Sequence, residues 1–312
     1  METEARDAVL IYGSGTMGCG IASCAALAGE PVILFDVNVA TAQKSIVRVR
    51  EILDYMHSQG LCGKEEVTKA AERVSSAEDL ESIRSRVKVV IEAVYENMLL
   101  KQDIFTHLDD IFPPEIPILS NTSGLRITDI AAKTKHPERT LTTHFWLPAN
   151  LIPLVEIVIG EQSSPELAEK IKKYLTSWGK KPVIVKRDIP GQLANRILQA
   201  VIREAVNIVE IGLASAEDVD TSIKMGMALR FPVWGPLEHI DAVGFDICES
   251  VQNTVLPEIT DRKNASPLFA NMRREGNLGH KTGKGFYDWS KKDMDSLVKK
   301  RNEFIIHALK KI

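Results

Sequence analysis

Apolar residues change their period along this chain, and those changes predict its elements. The run AVLIY (Ala8–Tyr12) is continuous, as in a strand buried on both faces, and GSGTMG (13–18) interrupts it with a glycine turn. Small and apolar residues over Thr16–Leu27 fit a helix, Gly29 and Glu30 close it, and PVILFD (31–36) is a second strand ending in an acid. Strand, turn, helix and strand in that order make a βαβ unit, which requires a parallel sheet.

Strand-like runs return at VKVVIEA (87–93), PILSN (117–121), LTTHF (141–145), LVEIVI (154–159) and PVIVK (182–186). Helical periods fill the intervals over 40–57, 98–111, 128–134 and 165–178. The expected fold of residues 1–187 is therefore an α/β, Rossmann-type doubly wound sheet with helices on both faces. Past Arg187 the pattern changes. PGQLANRILQAVIREAVNIVEIGLA is apolar at 193, 194, 197, 198, 201, 202, 205, 206 and 209, a broad helical stripe opened by a proline. Helical periods dominate from there on, including a basic tail after Trp289, so residues 188–312 are expected to form an all-α C-terminal domain. A helix apolar over so wide a face needs more cover than a thin domain supplies, which points to a homodimer built on that domain.

Composition narrows the classes. A chain of 312 residues suits two domains, and 44% hydrophobic with 26% charged residues is ordinary for a soluble globular protein. A net charge of −3 gives no footprint for nucleic acid or an anionic membrane. The start METEARDAVLIYG is charged and runs straight into a strand, so no secretory leader is expected. No apolar run reaches the roughly 18 residues of a membrane span. Cys19, Cys24, Cys62 and Cys248 lack paired metal spacing; reduced thiols, a cytoplasmic location and no metal site are expected.

GSGTMG stands between a strand and a helix, where a dinucleotide fingerprint belongs. Gly13 permits the tight turn, Gly15 lets backbone approach a pyrophosphate, and Gly18 lets helix and strand pack closely. The loop Gly13, Gly15, Thr16, Met17 and Gly18 is thus the candidate cofactor cradle, with the anion on the helix N-terminus. Asp36 ends the second strand 18 residues after Gly18, about where an acid grips ribose hydroxyls. An acid there repels a 2′-phosphate and Val37-Asn38 supplies no compensating arginine, which favours NAD over NADP.

Oxidising a secondary alcohol needs a hydride acceptor, a base and donors for the developing charge on oxygen. His144 ends a buried strand at the carboxyl edge of the sheet, where open α/β folds bind ligands, and Glu156 sits in the next apolar run. Two adjacent strands could bring them together as base and orienting carboxylate. Read on the residues alone, a structural histidine and a glutamate facing a surface lysine account for them equally well.

With these motifs the chain resembles the L-3-hydroxyacyl-CoA dehydrogenases and related L-β-hydroxyacid dehydrogenases over nearly its whole length. GSGTMG, EAVYENMLLK, SNTSG, HFW-x-P, LVEIV, PGQLANR, GPLEHIDAVGFD and GHKTGKGFYDW occur in the family's order. The resemblance implies that His144 is the general base and Glu156 its partner, and that Ser123 and Asn195 hold the substrate oxygen. It implies further that Glu92, Lys101 and Lys281 lie near the nicotinamide and its ribose. The chain departs from the family at three places. Leu147 stands where the family's histidine motif usually carries asparagine; in REILDYMHSQGLCGK uncharged residues hold the position where a lysine commonly binds the CoA head, with Lys64 arriving late; and ALRFPVWGPLE places Arg230 among bulky residues, as in the gulonate or λ-crystallin branch. Arg230 could clamp a free carboxylate, although a solvated arginine after a helix is the plainer reading. Three functions follow as expectations. The first is an NAD-dependent L-3-hydroxyacyl-CoA dehydrogenase. The second is a dehydrogenase of a small free β-hydroxy acid of gulonate, carnitine or hydroxy-pyridine-carboxylate type. The third is a nucleotide-binding structural or regulatory protein without catalysis.

Overall fold

The computed structural model describes residues 6–311. Strands β1 (Ala8–Tyr12), β2 (Val32–Phe35), β3 (Val74–Ser76), β4 (Val87–Glu92), β5 (Ile118–Ser120), β6 (Thr140–Phe145), β7 (Leu154–Val158) and β8 (Lys181–Val185) form one sheet in the order β3-β2-β1-β4-β5-β6-β7-β8. The first six are parallel, β7 is antiparallel to β6, and β8 runs parallel to β7. Helices α1 (Thr16–Leu27), α2 (Val39–Ser58), α3 (Lys64–Glu72), α4 (Met98–Ile111), α5 (Ile127–Ile130) and α6 (Pro165–Ser177) join the strands. This is the doubly wound architecture the periods predict. Strand β3, an edge strand of three residues, and α3 before it are not among the elements expected from the periods.

Alternation on the strands sorts the core. Val9 and Ile11 on β1 pack with Ile21, Val49, Leu53, Ile171 and Leu175 on the face of α1, α2 and α6. Leu10 and Tyr12 point the other way, to Ile104, Phe105 and Leu108 on α4. Each fully buried leucine or isoleucine contributes about 1.5–3 kcal/mol, so a strand apolar at every position is what a two-faced sheet requires. At the amino end of β6, Arg139 is buried with Asp109. Its Nη2 donates to Asp109 Oδ1 at 2.6 Å and its Nε to the same oxygen at 3.0 Å, while the fork also donates to the carbonyls of Phe112, Pro113 and Ile116.

The chain divides into two compact units, the first ending at Asn195 and the second starting at Arg196. Helix α7 (Ala194–Glu210) leads into the second, followed by α8 (Ala216–Ser222), α9 (Pro236–Val243), α10 (Phe245–Val255), α11 (Pro267–Arg274) and α12 (Met294–Leu309), with no strand among the described residues there. The helix does not open at Pro190 as its stripe suggests. Gly191 and Gln192 both take left-handed backbone, φ 83° and 53°, and helical geometry begins only at Ala194. Within the second unit Ile197, Leu229, Val233, Leu237, Phe245 and Val251 are all exposed. Among the described residues no helix is long and apolar enough to cross a membrane.

Candidate active site

Three candidate clusters lie at the carboxyl edge of the sheet's parallel strands, the first of them in the turn after β1. In that turn Gly13 has φ 101° and a Cβ there would come within 2.8 Å of the Ala93 carbonyl oxygen, so the loops after β1 and β4 touch where the strand order reverses. A Cβ on Gly18 would sit 1.9 Å from the Gly13 carbonyl oxygen, which excludes any other residue. Gly15 caps α1 with no side-chain hydrogen bond, no acid stands in the first turn, and a Cβ on Gly15 would meet nothing within 4 Å. The first-turn N–H groups of α1 thus have open space before them and no side-chain competitor, which fits an anionic pyrophosphate. Asp36 follows β2. Its Oδ2 accepts from the Ser14 amide at 3.1 Å and the Ser14 hydroxyl at 3.0 Å, which holds the carboxylate beside the loop. Arg48, on α2, donates to Thr16 Oγ1 at 3.2 Å and adds a positive charge beside the loop that its motif does not reveal.

The second cluster joins β4, α4 and the loop after β5. Glu92 is fully buried: Oε1 accepts from Lys101 Nζ at 2.6 Å and the Val94 amide at 2.7 Å, and Oε2 from Ser120 Oγ at 2.7 Å. Lys101 is 1% exposed. Both side chains are committed beneath the surface, so the direct cofactor contact expected of them would require breaking this network. The acid of this segment that reaches the surface is Glu96. Its Oε1 accepts from Thr122 Oγ1 (2.7 Å) and from the Ser123 and Gly124 amides (3.1 and 2.9 Å), and Ser123 Oγ lies 3.3 Å away. Burial pushes the Glu96 carboxyl up, but these donors and Lys101 bring it below its ordinary value. Ser123 is exposed on this loop. Glu96 was legible as the second acid of EAVYENMLLK.

The third cluster answers the question of His144 and Glu156. Antiparallel pairing sets them directly opposite each other on β6 and β7, on the face away from Phe145 and Val155. His144 Nδ1 is 2.8 Å from Glu156 Oε2, and Glu156 is wholly buried. A carboxylate accepts only, so Nδ1 carries the proton and the lone pair falls on Nε2, the atom a base must present. Trp146 Nε1 donates to the same Oε2 at 2.9 Å, while the Leu193 and Ala194 amides donate to Oε1 at 2.9 and 2.8 Å. Burial raises the Glu156 carboxyl, yet the bonds from His144, Trp146 and the two amides outweigh it and bring its pKa down to about 2. The left-handed turn at Gly191 and Gln192 aims those amides, and Gln192 Nε2 donates to the Thr122 carbonyl at 2.8 Å. Asn121 Oδ1 accepts from the Phe145 amide at 2.8 Å, tying the loop that bears Ser123 to the end of β6. Asn195 is the second residue of α7, directly after Ala194. Trp146 was readable by period, since it lies two positions beyond His144 on the same face.

Arg230 and Lys281 belong to the second unit. Arg230 lines a cavity of about 490 Å³ with Phe231, Trp234, His239 and Gln252, and among the described residues its guanidinium has no polar partner. Lys281 is exposed on a short 3-10 turn, His280–Thr282.

Comparisons with known proteins follow the same division. The family model described as 3-hydroxyacyl-CoA dehydrogenase, NAD binding domain, matches residues 8–189, and the C-terminal domain model matches residues 191–289. A probable 3-hydroxybutyryl-CoA dehydrogenase of Bacillus subtilis is 37% identical over 285 residues, 91% of this chain and 98% of its own. The 5-formyl-3-hydroxy-2-methylpyridine 4-carboxylate 5-dehydrogenase of Mesorhizobium japonicum is 31% identical over 296 residues, 94% of each chain. Among solved structures, a 5-formyl-3-hydroxy-2-methylpyridine 4-carboxylic acid 5-dehydrogenase, described as an NAD+-dependent dismutase, superposes with TM-score 0.87 at 30% identity over 97% of both chains. The (S)-3-hydroxybutyryl-CoA dehydrogenase of Ralstonia eutropha gives 0.76 at 33% identity, over 92% of this chain and 100% of that one.

Proposed function

The chain belongs to the 3-hydroxyacyl-CoA dehydrogenase family and is an NAD-dependent dehydrogenase, and we propose that it interconverts an L-3-hydroxyacyl-CoA and the 3-ketoacyl-CoA. The carrying observation is the 2.8 Å bond between His144 Nδ1 and Glu156 Oε2, which leaves Nε2 basic. Bound NAD supplies the acceptor for the hydride of the carbinol carbon. In oxidation His144 Nε2 takes the hydroxyl proton, and the buried Glu156 carboxylate stabilises the imidazolium. Ser123 and Asn195 donate to the oxygen as it becomes a carbonyl. Gly13, Gly15, Thr16, Met17 and Gly18 hold the pyrophosphate, Asp36 the adenosine ribose, and Lys281 the nicotinamide side. Glu92 and Lys101 act from beneath by fixing the floor under Glu96. The exposed apolar residues of the second unit support a homodimer, and we assign the protein to the cytoplasm.

A second reading keeps this chemistry and changes the substrate to a free hydroxy acid. Arg230, without a polar partner beside Trp234 and His239, suits a carboxylate on a flat or compact acid. The absent CoA lysine, Leu147 and the closer superposition on the pyridine-carboxylate enzyme favour it. The test is NADH oxidation with acetoacetyl-CoA beside a panel of free β-keto acids and pyridine carboxylates. Turnover of acetoacetyl-CoA is expected on the first reading; turnover confined to the free acids rejects it for the second.

A further inference from the structure

We propose that Trp146 is a positioning residue whose indole N–H shares Glu156 Oε2 with His144 and thereby sets how strongly His144 holds the substrate proton. This rests on reading His144 as the base.

A carboxylate offers about four acceptor sites, and Glu156 has four donors: His144 and Trp146 on Oε2, and the Leu193 and Ala194 amides on Oε1. The two amides are backbone and recur whatever the side chains. Trp146 is the one donor on the histidine's own oxygen that a substitution can remove. Its bond, at 2.9 Å, draws charge from the atom that faces Nδ1, so the carboxylate stabilises the imidazolium less than it would alone. The rings of His144 and Trp146 are 5.6 Å apart and tilted by 51°, not stacked, so the coupling runs through Glu156.

Glu156 is the ionised group bonded to His144 Nδ1. Of the charged groups on the neighbouring elements, Lys180 Nζ binds the carbonyls of Ala149 and Ile152, Asp188 binds Thr128, Glu96 binds the 122–124 loop, and Arg196 on α7 has contacts of its own. With its pKa near 2, Glu156 stays ionised when one donor is lost. Removing the indole N–H therefore makes His144 a stronger base that is neutral over a narrower range.

The experiment is the pH profile of kcat/KM for NAD-dependent oxidation of 3-hydroxybutyryl-CoA, or of free 3-hydroxybutyrate if only free acids react. In Trp146→Phe the acid limb is expected to move up by about half to one pH unit, so that activity below the limb falls roughly 3- to 10-fold. The alkaline plateau should change less and KM for NAD should hold. Trp146→benzothienylalanine keeps the shape and lacks only the N–H, and must move the limb in the same direction. A limb that moves with Phe but not with this isostere marks a packing effect and overturns the proposal, as does a limb unmoved by both. His144→Gln separates the two readings. Full turnover there removes His144 as base, whereas an inactive His144→Gln with an unmoved Trp146→Phe limb removes only the role of Trp146.

Discussion

Strand β6 has a buried carboxylate held by a basic side chain at each end, and the two are built for opposite purposes. At its amino end Arg139 and Asp109, with side chains 4% and 1% exposed, close on each other and on surrounding carbonyls. At its carboxyl end His144 and Glu156 make the same kind of short contact, but an imidazole can take up and release a proton at its second nitrogen and a guanidinium cannot. The difference follows the sheet. Loops at the carboxyl ends of parallel strands form the ligand crevice, while the amino ends lie away from it. A buried pair is thus not itself a sign of catalysis; what matters is whether one partner has a second face to offer.

Exchanging the chemistry at each end should separate rate from stability. His144→Gln should lower kcat/KM by about 10³-fold or more while leaving NADH binding, followed by fluorescence, and the melting temperature nearly unchanged. Arg139→Met leaves Asp109 buried without its cation and should cost about 3–5 kcal/mol in urea unfolding, with kcat of the folded enzyme retained. If Arg139→Met reduced kcat as strongly as His144→Gln in folded protein, the division between the ends of β6 would be wrong.

The catalytic end should also reveal itself in acid. The Glu156 carboxyl lies at about 2 in the folded chain against an ordinary 4.5. A depressed folded pKa contributes stability that is complete above about 4.5 and is lost as the pH falls towards 2. Between pH 6 and pH 3 that loss is about 2 kcal/mol, and Glu156→Gln should remove that part of the pH dependence. Equal slopes for parent and variant in urea titrations at the two pH values would contradict the tight hold on Glu156.

How much of this was legible depends on how local its cause is. The βαβ opening was readable because a strand, a glycine turn and Asp36 lie within one short stretch. His144 and Glu156 were readable as suspects because an acid interrupts an apolar run, and cross-strand register then made them a pair. The Arg139–Asp109 pair was invisible: its members are far apart in sequence, and Asp109 looks like one of two ordinary acids on an exposed helix face. The left-handed Gln192 was hidden as well, since a non-glycine residue with positive φ carries no composition signal. Together with Gly191, that backbone state delays α7 and aims two amides at Glu156. The burial of Glu92 was hidden for a related reason, because spacing placed it at the strand end but could not tell a sealed carboxylate from an open one.

The smallest effect expected at the carboxyl end of β6 concerns Leu147, which is 56% exposed where the family's motif has asparagine. Leu147→Asn removes little packing, so stability should change by less than about 0.5 kcal/mol. An added amide that reaches a substrate or cofactor oxygen contributes about 0.5–1.5 kcal/mol, a factor of roughly 2 to 10 in kcat/KM. If the natural substrate is an acyl-CoA, the gain should appear with acetoacetyl-CoA. If it is a free acid whose apolar edge rests on Leu147, the same substitution should lower kcat/KM for that acid and leave the thioester no better used. The direction of this change, measured on both substrates, tests the choice between them with the His144–Glu156 pair held constant.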